Sequence, residues 1–380
     1  MQTAITKKQI VKFAPKGEDS FYDAIKQDVE AYFAEAGVSK HANTTMRVKT
    51  IVMVSLYFVP FAVILSGLGA VSPWLFYALW ITMGIGIVGI GASVMHDSNH
   101  GSYSENDRVN NALGALLNLI GGYDQNWKIQ HNILHHTYTN LDGLDEDIEG
   151  TVLIRMSPHR PLWGIHKYQH IYSWGLYSLM NLMWVFVKDY KLIFRYHKND
   201  LLRKQKLTLR KAVIHVTLIK STYLIATLGL PLLVSGMEVY QVLLGFLFMH
   251  MVAGLSLACI FQPAHVMETS GFEQPSDENK MENSWAVHQL LNTTNFAPKS
   301  TVTSWFIGGL NYQIEHHLFP QICHVHYPKL SKIVKKAAEE RGLPYNVQPT
   351  VLKALLLHGS MLRTLGSQAR FAKAYPELVA

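Results

Sequence analysis

Four apolar stretches dominate the hydropathy pattern of this 380-residue chain, at 51–70, 73–94, 212–235 and 239–262. Each has the length of about 20 residues that a helix needs to cross a bilayer. They predict two helical hairpins, because only Val71 and Ser72 part the first pair and only Gly236, Met237 and Glu238 part the second. Two shorter apolar stretches read as interfacial helices. One, 109–122, is too short to span; the other, 172–187, is rich in Trp, Tyr and Met. Near the carboxyl end, 329–341 and 351–365 are helix-like and are expected to pack on a cap.

Composition agrees with a membrane protein: 49% of residues are hydrophobic and 16% charged. The net charge of +7 raises the question of nucleic acid, but no basic stripe with interleaved aromatics stands out, and no nucleic-acid partner is expected. Of the 34 Lys and Arg, all but Lys211 and Lys220 lie before residue 51, within 96–210 or after 263. The short hairpin turns hold none, so by the positive-inside rule the amino terminus, the central region and the carboxyl terminus all face the cytosol. The first 49 residues contain no apolar run before a small-residue cleavage site, so the first span is expected to direct insertion itself. Cys259 and Cys323 form no CxxC pair and predict no disulfide framework.

The predicted fold is an all-α integral membrane protein. Four transmembrane helices in two hairpins are joined by interfacial helices and a cytosolic helical cap. The expected organisation is a cytosolic segment 1–50, a membrane-and-cap domain 51–366 with its cap drawn mainly from 96–210 and 263–366, and a tail 367–380.

The candidate chemistry lies in histidines. His96 and His100 sit in HDSNH, His131, His135 and His136 in HNILHH, His316 and His317 in QIEHH, and His265 in FQPAHV. Every one falls on the cytosolic side of the predicted topology, so they can converge. His96/His100 and His131/His135 have the i,i+4 spacing that puts both rings on one helix face, and His136 lies one step around. One tetrahedral zinc needs three or four ligands; eight candidates suffice for two metals. Imidazole suits iron as well as zinc. Acidic residues would then orient the rings through their outer nitrogens, with Asp97, Asp145, Asp147, Glu149 and Glu315 as candidates.

Spacing alone is weak, since His166/His170 repeats it. His41, His159, His197, His215, His250, His288 and His358 read as interfacial or hydrogen-bonded histidines, and His324 and His326 lean the same way. A metal transporter or sensor would need polar residues along the spans, which offer only His215, Lys220 and His250. No HExxH occurs for a zinc protease.

These boxes resemble those of the membrane-bound fatty acid desaturase family, together with their flanks QHNILHHTYTN, DEDIEG and LNYQIEHHLFP. Gln313 stands where other members have the first histidine of the third box, as in front-end desaturases. The nearest resemblance is to bacterial-type enzymes acting on acyl-CoA. It implies a non-haem di-iron centre held by His96, His100, His131, His135, His136, His265, His316 and His317. Dioxygen would be co-substrate and an acyl chain, as acyl-CoA or in a lipid, the substrate. Gln313 is a weak ligand, an outer group or neither. No HPGG haem motif is present, so a separate donor, ferredoxin or cytochrome b5 with its reductase, is expected. A bacterial inner membrane is favoured over the endoplasmic reticulum. Arg155, Arg160, Lys188, Lys191 and Arg195 are available for the phosphates of CoA or for anionic lipid. A hydroxylase using the same boxes is the alternative within the enzyme class.

Overall fold

A computed structural model describes residues 11–15, 20–149 and 152–376. Helix is by far the main secondary structure of the described residues, with almost no strand. The spans are α2 (Thr44–Leu65), α3 (Pro73–Asn99), α6 (Leu209–Val234) and α7 (Val239–His265), each long and apolar enough to cross a membrane. Before them comes α1 (Phe21–Ala36). Between α3 and α6 lie α4 (Gln169–Ser178) and α5 (Asp189–Lys198). After α7 come α8 (Gln313–Leu318), α9 (Tyr327–Glu340) and α10 (Val351–Leu365). A short parallel pair joins β1 (Asn295–Phe296) to β2 (Val347–Gln348).

The span ends differ from the hydropathy pattern, and local chemistry explains why. α2 starts at Thr44 because the Asn43 side chain accepts the Met46 N–H at 3.0 Å, capping the helix before its apolar run begins. α3 and α7 overrun their apolar stretches into the first box and the FQPAH sequence. His96 therefore lies in the last turns of a span, and His265 is the final residue of another. α3 changes to a π-turn at Ile90–Met95, directly before His96. Such widened turns re-aim side chains and recur at functional sites.

Small residues let the spans approach closely. A Cβ at Gly84 would come within 2.6 Å of the Met249 carbonyl oxygen in α7, and one at Gly86 within 2.6 Å of the Tyr57 nitrogen in α2. The segment read as interfacial packs along these spans as a broken helix. α4 lies against α7, and the Asn181 amide meets His250 Nδ1, near the middle of α7, at 2.8 Å. α5 runs beside α6, where the buried Lys220 ammonium meets Asp189 at 2.5 Å and donates to the Gly121 carbonyl at 2.6 Å. The one lysine inside a predicted span is thus neutralised by a partner.

A second core forms the cap. Phe21, Ile25 and Val29 of α1 pack with Leu290, Ile314, Leu330 and Val334. α9 belongs to this cap, while α10 packs against α4 and α7. The histidine boxes lie at the ends of α3 and α7, in the segment Lys128–His135 and in α8.

Candidate metal centre

Every histidine of the three boxes, and His265, comes to one place. Ligand-type nitrogens of His96, His100, His131 and His316 lie within 4.8 Å of one another, and so do those of His135, His265 and His317. His136 joins His316 and His317 in a third set, linking the first two. His96 Nε2 faces His131 Nε2 at 3.1 Å, and His136 Nε2 faces the same atom at 3.2 Å.

The second box departs from α-helical expectation. Lys128–His135 is a π-helix, and its wider turn brings residues five apart onto one face. His131 and His136 therefore meet, while His135 turns towards His265, with ring centroids 4.7 Å apart. The i,i+4 pair His131 and His135 still stack, with ring centroids 5.3 Å apart, and share a set with Asp147.

Four of the outer nitrogens are held, while Nδ1 of His96 and of His136 has no hydrogen-bond partner. His135 Nδ1 meets both Asp145 oxygens at 3.1 Å, and Asp147 stands 3.5 Å away. His317 Nδ1 donates to Gln289 Oε1 at 2.8 Å, His265 Nδ1 to the Asn292 carbonyl at 3.2 Å, and His316 Nδ1 lies 3.3 Å from the Tyr327 hydroxyl. With Nδ1 engaged, Nε2 points inward. Nε2 of His100, His265, His316 and His317 is buried with no hydrogen-bond partner. Four orphaned ring nitrogens in one interior are costly unless a cation takes their lone pairs. Imidazole suits iron as it suits zinc and copper, and one carboxylate, Asp147, lies within reach of His131 and His135. The residues fit the metal.

Burial and the neighbouring imidazoles push His100, His131, His136, His316 and His317 well below the usual histidine range. Neutral imidazole is the form that ligates metal. His135 is the exception: burial opposes its charge, but Asp145 and Asp147 outweigh it and push the ring up to about 9.

Of the carboxylates expected to orient rings, Asp145 and Asp147 face His135, and an Asp97 oxygen lies 3.7 Å from His96 Nδ1. Two others have different work. Glu149 pairs with Arg195 and, at 3.4 Å, with Arg160. Glu315 accepts from the Tyr345 hydroxyl at 2.7 Å and the Asn295 amide at 2.8 Å, which fixes the β1–β2 pairing beside the third box. Neighbouring sequence position suggested both, but their side chains leave the helix on other faces. Gln313 donates to the Leu310 carbonyl at 2.8 Å and lies against His265.

Gln289, Thr139, Asn292, Tyr327 and Trp127 support the centre unannounced by the sequence. Trp127 could have been found, since it precedes His131 by one helical turn and stacks on its ring at 4.5 Å. His288 Nε2 donates to the Thr139 carbonyl at 2.8 Å, and His358 bridges Tyr177 and the Val266 carbonyl. Both are hydrogen-bonded core histidines.

Three of the basic residues proposed for phosphates are committed elsewhere. Arg155 is buried and spends its guanidinium on the carbonyls of Arg160, Leu365 and Pro158. Arg160 meets Asp142 at 2.7 Å, and Arg195 meets Glu146 and Glu149.

Fold and site together describe an all-α membrane protein with a buried imidazole cluster of metal-binding type. The chain belongs to the fatty acid desaturase family, whose model matches residues 72–349. It is 36% identical over 363 residues to the sn-1 linoleoyl-lipid 6-desaturase of Synechocystis, covering 94% of this chain and 98% of that one. The sn-1 linoleoyl-lipid 6-desaturase of Arthrospira platensis is 32% identical over 347 residues, 91% of this chain and 92% of its own. The acyl-lipid (8-3)-desaturase of Physcomitrium patens is 33% identical over 368 residues, covering 95% of this chain and 74% of its own. The protein is an oxidoreductase, a fatty acyl desaturase that works in a membrane setting on a lipid substrate with a metal cofactor.

Proposed function

We propose that this desaturase inserts a double bond into an acyl chain esterified in a membrane lipid, on the carboxyl side of an existing double bond, at a di-iron centre on the cytosolic face. The carrying observation is the inward convergence of eight imidazoles, seven of them buried and His100 nearly so, with the outer nitrogens of His135, His265, His316 and His317 anchored. His96, His100, His131 and His316 would hold one iron, and His135, His265 and His317 the other, with His136 between them. Iron held there would supply the oxidising chemistry by which one dioxygen, two electrons from a separate donor, two protons and one hydrogen from each of two adjacent methylenes give the double bond and two waters.

The chain's own residues orient and exclude. Asp145, Gln289 and Asn292 fix which ring nitrogen faces inward. Trp127 and the surrounding core keep bulk water from the imidazoles, which are nearly all buried. The apolar bundle beneath them suits an acyl tail. A lipid-borne chain is favoured over acyl-CoA on two grounds: the similar cyanobacterial enzymes are named for linoleoyl-lipid, and Arg155, Arg160 and Arg195 are already paired within the protein. Residues 51–366 form the catalytic unit in this reading, oriented with its Lys- and Arg-rich segments in the cytosol, in a bacterial inner membrane. Ferredoxin or cytochrome b5 would supply the electrons.

The test is expression in a host that lacks such activity, followed by analysis of complex lipids and the acyl-CoA pool. A new double bond between the carboxyl group and an existing one, appearing first in intact lipid, is expected. First appearance in acyl-CoA would reverse the carrier assignment, and a gain of oxygen would replace desaturation with hydroxylation.

A further inference from the structure

Three segments distant in sequence meet beside the first box. Lys49, in α2, is 2% exposed, and its Nζ donates to His324 Nε2 at 2.6 Å. Because Nε2 accepts, the ring proton sits on Nδ1, which donates to Asp97 Oδ2 at 2.8 Å. The His324 backbone N–H adds a second bond to the same oxygen at 3.1 Å. The other Asp97 oxygen faces His96 Nδ1 at 3.7 Å, and His96 Nε2 is the atom that faces His131.

We propose that Lys49 and His324 are positioning residues that hold Asp97, and through it His96, at the metal centre. The inference rests on reading His96 as an iron ligand. Nothing in the boxes themselves supplies this support: Asp97 is next to His96 in sequence, but the groups that aim its carboxylate come from α2 and from the loop between α8 and α9.

Two alternatives are weaker. Asp97, Cys323 and His324 lie close enough for a third metal, but both His324 ring nitrogens are already engaged, Nδ1 by Asp97 and Nε2 by the Lys49 ammonium. The cluster has its cation. A simple clip is also insufficient, because a backbone bond already ties the His324 loop to the segment that leads into α2: the Cys323 N–H donates to the Lys40 carbonyl at 2.9 Å. A buried amine is costly to keep where an apolar contact would do the same job. What the chain adds is direction: it turns a carboxylate towards the outer nitrogen of one imidazole, too far at 3.7 Å to hydrogen-bond it but close enough to favour by charge the ring orientation that keeps the N–H on that side.

The experiment compares iron binding in the purified full-length chain and its His324→Leu, Lys49→Met and His324→Asn variants. Iron per chain, retention against a chelator and the Mössbauer spectrum are read. Both apolar variants should release one of the two irons about tenfold more readily or worse and alter the spectrum of that iron alone. His324→Asn, which keeps a donor for Asp97, should recover part of the loss. Wild-type retention and spectrum in both apolar variants would overturn the proposal. So would equal weakening of both irons with no recovery in His324→Asn, the pattern of general destabilisation. Wild-type protein that takes up no iron would overturn the centre itself, and this inference with it.

Discussion

Asp145 straddles the outer nitrogen of His135, with both carboxylate oxygens 3.1 Å from Nδ1. Its Oδ2 also accepts the Asn140 N–H at 2.9 Å, and its Oδ1 the Asp147 N–H at the same distance. The carboxylate is therefore fixed by the backbone that follows the second box. Asp145→Asn should leave the helices intact but weaken metal retention about 10- to 100-fold, measured as iron per chain after graded chelation. Unchanged retention would mean that the ring needs no such anchor.

Replacing His135 or His316 with Ala should abolish desaturation while leaving membrane insertion unchanged. Membrane fractionation with reconstituted turnover, donor and reductant supplied, checks both halves. Wild-type turnover in either variant would remove that residue from the proposed ligand set.

Much of this was legible in the sequence. Four apolar runs gave the spans, charge placement put all boxes on one side, and the boxes named their own histidines. Other features leave no local trace. The π-helix that brings His131 to His136 is one of them, since the i,i+4 spacing of the box reads equally well as an ordinary helix. Glu149 and Glu315 seemed placed to orient rings, but an acidic residue next to a box can point to any side. The partnership of Lys49 with His324, a histidine that read only as interfacial or hydrogen-bonded, was invisible for the opposite reason: the two are far apart in sequence and meet only in the fold.

The close approach of α2 to α3 gives a packing prediction. A methyl group at Gly86 would fall 2.6 Å from the Tyr57 nitrogen, against backbone that cannot swing aside. Gly86→Ala should cost about 1–3 kcal/mol and lower the melting temperature in detergent. Gly175→Ala, where nothing lies within 4 Å, is the control and should melt with the wild type or slightly above it. Equal melting of Gly86→Ala and Gly175→Ala would contradict the tight α2–α3 contact.

Lys220 and Asp189 form a buried pair that joins α6 to α5. Lys220→Met leaves a carboxylate with no cation in an apolar bundle and should destabilise by about 3–5 kcal/mol. The double variant Lys220→Met/Asp189→Leu removes both charges and should recover most of that loss. A double variant less stable than the single one, in thermal unfolding, would show that the pair contributes more than mutual neutralisation.

The central claim is that the eight imidazoles divide into two groups, each holding one iron. Metal analysis of purified protein, with His96→Ala and His265→Ala beside the wild type, tests it most directly. The account predicts about two irons per wild-type chain and about one in each variant, with the two variants keeping spectroscopically different ions. A single iron in the wild type, or the same ion surviving in both variants, would contradict it.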